Sequence, residues 1–124
     1  YPEDDLSSQP VRFFVAEPIR ETIFELYSEE IPYSVAVTIE EYQEQAVLIS
    51  IHATVYVERA SQKGILIGKG GAALRELGTR ARLKIEEFVG GHVFLRLWVK
   101  VLPKWRKNPI ELRRLGFPVP QEND

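Results

Sequence analysis

One short stretch of this chain has residue types and spacing that suit it to chemistry, namely Gly68-Lys69-Gly70-Gly71, between Ile65-Leu66-Ile67 and Ala72-Ala73-Leu74. Glycine lets a backbone turn sharply and lets a phosphate approach main-chain N–H groups with no Cβ in the way. A helix starting at such a turn offers free N–H groups and the positive end of its dipole. Lys69 adds a full charge inside the turn. The chemistry that fits is holding a phosphodiester backbone, with Lys69 as the leading phosphate contact. Lys63 and Arg75 stand close enough in sequence to add charge. Ile65, Ile67 and Leu74 supply an apolar wall against which a base could lie, with ordinary core packing an equal alternative for Ile65 and Ile67.

Other chemistry fits poorly. A P-loop needs four residues between its first glycine and the Gly-Lys pair, then Ser or Thr. Here Gly64 and Gly68 are separated by three residues, and Gly70 stands where the hydroxyl is required. A dinucleotide fingerprint needs a third glycine after a first strand, and the element order is wrong for it. His52 and His92 are the only histidines and cysteine is absent, which removes thiolate chemistry and the usual metal-ligand spacings. No nucleophile–base–acid set or carboxylate pair stands out. The remaining alternative to a phosphate grip is a tight helix–helix turn with no ligand.

The charge pattern bears on that choice. The net charge is −2, but residues 1–58 carry twelve acids and two bases, whereas 59–84 carry seven bases and one acid. Residues 96–114 repeat the count of seven bases and one acid. The glycine turn therefore lies in a basic block of an acidic chain, and the local field counts for more than the sum. Arg75 and Arg82 lie seven apart and share a helix face that could follow a nucleic acid. Arg96, Trp98 and Lys100 share a strand face. Trp98 could stack a base, though cover by the last helix is the plainer expectation, and Trp105 is expected to pack the C-terminal segment.

The elements that must position these residues follow from periodicity. The chain has 124 residues, 44% of them apolar, enough for one domain with its own core. Residues 1–16 read as a linker. A first helix is expected from near Pro18, with Ile19, Ile23, Leu26 and Tyr27 as its apolar stripe, ending before Pro32. Tyr33, Val35, Val37 and Ile39 alternate as a strand, followed by a turn or a frayed strand end at 40–45 and a long strand over 47–58. Their short separation favours an antiparallel hairpin. Ser61 is expected to cap a short helix before the glycine turn. A second helix carries Leu74, Leu77, Ala81, Ile85 and Phe88 and ends at Gly90-Gly91. A third strand covers 93–101, and Asn108-Pro109 opens a last short helix with Leu112 and Leu115. No apolar stretch is long enough to span a bilayer. A chain starting at Tyr1 with no signal peptide reads as a fragment or a processed product.

The glycine turn with its flanking Ile, Gly and Leu, in the order helix–strand–strand–helix–turn–helix–strand, matches the signature of a type II KH domain, a fold that holds about four nucleotides. The expected fold class is α+β: a three-stranded sheet packed by helices on one face, plus a short C-terminal helix. The likeness extends over residues 1–117. Tyr1 to Asp5 with Arg12-Phe13, Glu17 with Ile19-Arg20-Glu21, His52 to Arg59, Ser61 to Gly68, Lys100-Val101 through Trp105-Arg106, and Leu112 to Phe117 all resemble the C-terminal KH domain of the Era family of bacterial GTPases. Gly70, where many relatives carry a larger residue, and Phe117, where Tyr is frequent, are departures that leave the motif intact.

The resemblance implies a division into a 1–16 linker from a missing N-terminal GTPase domain, a KH domain at 17–117 and a flexible tail at 118–124. It implies single-stranded RNA as partner, at the 3′ end of 16S ribosomal RNA, in biogenesis of the small ribosomal subunit. The RNA-binding set is Gly68, Lys69, Gly70, Gly71, Ile65, Ile67, Lys63, Leu74 and Arg75. No cofactor is expected in this chain; GTP and Mg²⁺ would belong to the GTPase domain acting in cis. The expected setting is the cytoplasm, with peripheral association at the inner membrane. The alternative is a KH scaffold used for protein interaction without RNA binding.

Overall fold

The structure, a computed structural model, describes residues 2–27, 31, 35–104 and 108–115. Its order is α1 (Pro2–Leu26), β1 (Ala36–Glu44), β2 (Ile49–Val57), α2 (Ala60–Ile67), a single 3-10 turn (Lys69–Gly71), α3 (Ala72–Val89), β3 (Val93–Val101) and α4 (Pro109–Arg114). The sheet order is β1-β2-β3, with β1 and β2 antiparallel and β2 and β3 parallel. The parallel pair requires a crossover, and α2, the turn and α3 supply it. The glycine turn therefore sits in the middle of that crossover. The α+β class and its three-stranded sheet are as expected from the sequence.

One layer of helices covers one sheet face. Val15, Ile19 and Ile23 of α1, Leu66 of α2, and Leu77, Ala81 and Ile85 of α3 pack on Ile51, Ala53, Val55 and Val57 of β2 and Val93 and Val99 of β3. These are the i, i+4 stripes of the helices against the alternate residues of the strands. The short α4 lies apart from that layer. Leu112 and Leu115 pack with Tyr56 and Ala36, residues of the opposite sheet face. Asn108 Oδ1 accepts the Ile110 N–H at 3.0 Å, the cap expected for this helix.

Several sequence expectations are corrected. The first helix begins at Pro2 rather than near Pro18, so residues 2–16 are helical and Pro18 lies inside α1. Proline removes one helical hydrogen bond. The stripe Val15, Ile19, Ile23 runs through it in full burial and keeps the helix seated on the sheet. Of the two readings for 40–45 the turn is set aside and the strand end holds: Glu40 to Glu44 belong to β1, with a register shift between Ile39 and Glu41. The N-cap of α2 is Arg59, not Ser61. Gln62 decides this, because its Oε1 accepts the backbone N–H groups of Glu58 and Arg59 at 3.1 and 3.0 Å. Phe88 lies 56% exposed instead of in the core, with its ring 5.8 Å from Phe14. The expectations for Tyr33, Trp105 and the tail from Pro118 fall outside the described residues.

Candidate nucleic-acid interface

The turn between α2 and α3 is built by three left-handed glycines. Gly68, Gly70 and Gly71 have φ of +74°, +61° and +80°, a region that other L-residues enter at a cost. Gly68 has a second constraint. A Cβ there would stand 2.6 Å from Ala73 Cβ and 2.9 Å from the Ala73 backbone nitrogen. At Gly70 a Cβ would meet nothing within 4 Å. Gly68 thus serves close approach of the two helices, whereas Gly70 serves only the turn.

Two side chains hold this turn. Arg75 Nη1 donates to the Gly70 carbonyl at 3.0 Å from one turn into α3. Below, Tyr27 at the end of α1 is buried, and its hydroxyl lies 3.2 Å from the Leu66 carbonyl and 3.3 Å from the Ala73 carbonyl. It therefore ties the last turn of α2 to the first turn of α3. Burial, with the Glu76 carboxylate adding to it, pushes the Tyr27 phenol above its ordinary value, so it stays a donor at neutral pH. The sequence pattern places Tyr27 only in the apolar stripe. Its polar end leaves no signal there, because the partners are carbonyls 39 and 46 residues away.

The N-terminus of α3 is open: among the described residues no side chain caps it, and its first turn holds no acid. Its free N–H groups and dipole are left to an external anion. Lys69 is exposed at the same end and has no ion pair among the described residues.

From this turn an open groove of about 720 Å³ runs between α3 and β3. Gly71, Leu74, Arg75, Gly78, Thr79 and Arg82 form the α3 side, and Val93, Phe94, Leu95, Arg96 and Leu97 form the β3 side. Among the described residues β3 pairs only with β2, and its outer edge there presents unpaired backbone groups. Gly78 keeps the middle of the groove open: a Cβ there would meet Leu97 Cδ1 at 3.8 Å, an ordinary contact. Cations rim the groove. Arg82 is held by Glu86 at 3.0 Å, while Arg96 has no ion pair among the described residues. Glu86 also accepts the Val93 N–H at 2.9 Å. That bond, and Arg82 after it, hold the Glu86 carboxyl below the usual range against the opposing effect of burial.

The structure sorts the sequence-derived candidates. Gly71, Leu74 and Arg75 line the groove, and Gly68, Lys69 and Gly70 form the turn at its mouth. Lys63, Ile65 and Ile67 are not groove-lining; they lie on α2, on the other side of the turn. Ile67 packs against the main core and Ile65 is 39% exposed. α2 also packs near β3, but the helix side of the groove is formed by the end of the turn and α3. Gly78, Thr79 and the β3 residues join the site from outside the sequence-derived set. The spacing 71, 74, 75, 78, 82 along one helix face carries a signal for the first of these; β3 carries none. Trp98 is another correction: α4 covers Tyr56, and Trp98 remains 51% exposed.

Comparison with known proteins fits this geometry. The KH domain family model matches residues 30–106. GTPase Era of Carboxydothermus hydrogenoformans is 50% identical over 119 residues, covering 94% of this chain and 40% of the relative. GTPase Era of Mycobacterium sp. (strain KMS) is 49% identical over 120 residues, with the same coverage of 94% and 40%. A crystal structure of a variant of Aquifex aeolicus Era bound to GDP·AlF4⁻ superposes with a TM-score of 0.83 at 40% identity, covering 89% of this chain and 38% of that one. A structure of Era in complex with MgGDPNP and nucleotides 1506–1542 of 16S ribosomal RNA matches with the same score and identity, over 89% of this chain and 37% of that one. This chain spans about 40% of the length of the curated relatives it matches.

Proposed function

This chain belongs to the KH domain family, and from that premise we propose that it binds single-stranded RNA, with the phosphodiester backbone over Gly68 to Gly71 and the bases in the groove between α3 and β3. One observation carries the reading: three left-handed glycines and an uncapped helix N-terminus open onto an apolar groove whose rim is basic. Lys69 and Arg96 supply positive charge not already spent on an internal acid. Leu74, Leu95 and Leu97 give bases an apolar floor. The unpaired edge of β3 gives them hydrogen-bonding groups, as suits recognition of unstacked bases.

The Era relatives narrow the target. The RNA is the 3′ end of 16S ribosomal RNA, and the setting is small-subunit biogenesis in the cytoplasm. The chain acts as a binding module without catalysis of its own, beside a GTP- and Mg²⁺-binding domain in cis. Any contact with the inner membrane is peripheral; among the described residues no helix is long and apolar enough to cross one.

The test is titration of a labelled RNA carrying the 3′-terminal 16S sequence, against a scrambled control, at two salt concentrations. Affinity should fall with salt, with a logarithmic slope of about −0.7 per phosphate neutralised. Lys69→Asp combined with Gly70→Asp should weaken binding by at least about tenfold at low salt. That double variant should stay folded, because Asp enters the left-handed region more readily than most residues and position 70 has open space. Unchanged affinity in the folded double variant would remove the groove reading and favour a protein partner.

A further inference from the structure

The glycine turn has little to fix its own shape. Three of its residues are left-handed glycines, and glycine has the most backbone freedom to lose on ordering. Its backbone bonds are local: the Gly68 N–H donates to the Gly64 carbonyl at 2.8 Å, and the Gly71 N–H to the Gly68 carbonyl at 3.1 Å. Bonds of that span set the path of the chain through the turn. They do not set the distance between the two helices on either side of it.

The two side chains that hold the turn differ in kind. Arg75 is exposed, so an incoming phosphate can draw its guanidinium off the Gly70 carbonyl. Tyr27 is buried beneath the turn and cannot be drawn away. Its hydroxyl has one proton for two carbonyls. The Leu66 carbonyl, at 3.2 Å, lies in the last turn of α2, where carbonyls lack intrahelical partners. The Ala73 carbonyl, at 3.3 Å, begins α3 and faces the N–H four residues on. The proton therefore goes first to Leu66, with Ala73 as a second acceptor. The main chain of Tyr27 is itself fixed: its N–H donates to the Ile23 carbonyl at 2.9 Å, and its carbonyl accepts the Ile31 N–H at 3.3 Å. Val15, Ile19 and Ile23 of the same helix sit in the core on the sheet. Tyr27 thus refers the turn to the sheet, and so to β3, the other wall of the groove.

Resting on the groove reading above, we infer that Tyr27 is a positioning residue for RNA: through its hydroxyl, α1 sets the spacing of α2 and α3 and holds the phosphate seat in register with the groove. It acts through the turn and does not touch the RNA. Without the hydroxyl, the Leu66 carbonyl is left buried with no side-chain donor, and the turn is free to open once Arg75 lets go. A seat fixed before the ligand arrives spares the complex the cost of ordering it. If the loosened turn holds the binding geometry about a tenth of the time, apparent affinity falls about tenfold.

The experiment compares the native chain, Tyr27→Phe and Ile19→Val, each at a temperature where its unfolding curve shows it folded. Tyr27→Phe keeps the ring and its packing and deletes only the hydroxyl. Ile19→Val deletes a buried methyl from the same helix, about two turns away, and serves as the control for lost stability alone. With the labelled 3′-terminal 16S RNA, Tyr27→Phe should bind about tenfold more weakly. Its salt slope should be shallower by about 0.7, the share of one phosphate. Without RNA, its Gly71 amide should exchange hydrogen about tenfold faster. Ile19→Val should keep the native salt slope and stay within about twofold of native in affinity and Gly71 exchange. Native affinity in Tyr27→Phe, or an equal loss in Ile19→Val, overturns the positioning role while binding by the native chain keeps the groove. Failure of the native chain to bind overturns the groove reading, and with it this role.

Discussion

The two flanks of α3 carry bases from one basic block, and those bases have opposite jobs. On the flank facing α1, Lys84 Nζ donates to Glu21 at 3.0 Å and to Glu25 at 2.8 Å. Its partial burial lowers its pKa, but the two carboxylates outweigh that and the net shift is upward. Arg80 is likewise held by Glu76 at 2.9 Å. On the flank facing β3, Arg82 is held by Glu86 at 3.0 Å, whereas Arg75 spends its guanidinium on a carbonyl of the turn and has no ion pair among the described residues. A count of bases in sequence thus overstates the binding charge. What matters is which acids the fold brings near: α1 delivers its carboxylates to one flank of α3, and β3 brings none to the other.

The sharpest way to break the groove flank is at its first residue. Gly68→Ala adds a left-handed penalty to a clash with the backbone of Ala73, so we expect a loss of about 2–4 kcal/mol in urea unfolding together with loss of RNA binding. Gly70→Ala, with the left-handed penalty alone, should cost about 1–2 kcal/mol. Equal costs at the two positions would show that close helix approach is not what Gly68 provides.

A subtler change separates groove from fold. Gly78 lies in a helix interior, where Ala is favoured by about 1 kcal/mol, and its Cβ would make only ordinary contact. Gly78→Ala should raise the unfolding midpoint while weakening RNA binding, since the methyl narrows the groove. A variant that gains stability and keeps full affinity would place the bases elsewhere.

The loop and the α3 stripe are legible in the sequence because both are local. Left-handed turns ask for glycine within a few residues, and a helix writes its buried face as Leu77, Ala81, Ile85. The β3 wall of the groove is not legible, since nothing in a period-two pattern tells which strand is an edge or which helix flanks it. That depends on β3 pairing in parallel with β2 through the crossover. The N-terminal helix is misjudged from sequence because Pro18 is a sound local start signal, while the burial of Val15 and Ile19 on the sheet is a tertiary effect. Trp98 is misjudged for a related reason: its cover depends on where α4 lands.

The α1 flank should respond in the opposite sense to the groove. Lys84→Met removes a pairing among half-exposed groups, 29% for Lys84 against 65% and 46% for Glu21 and Glu25. The cost should be no more than about 1 kcal/mol. RNA affinity should stay within about twofold, because the deleted charge is already neutralised and faces away. A clear loss of affinity on Lys84→Met would mean that both flanks serve the ligand.

The smallest effect is expected where α3 meets the start of strand β3. Glu86 joins Arg82 of the groove rim to the Val93 N–H that starts β3. Its folded carboxyl is held below the ordinary range, first by that N–H and then by Arg82. A carboxyl lowered on folding adds stability above its unfolded value, and that stability is lost as pH falls through the folded value. Urea midpoints should therefore decline between neutral pH and the acid range more steeply in the native chain than in Glu86→Gln. The amide keeps an acceptor for Val93 but cannot titrate. Parallel profiles would assign the acid sensitivity to other carboxylates. Because Glu86 also holds Arg82, its protonation frees that cation at the rim, so acid should weaken the fold at this seam without weakening the attraction of the groove for phosphate.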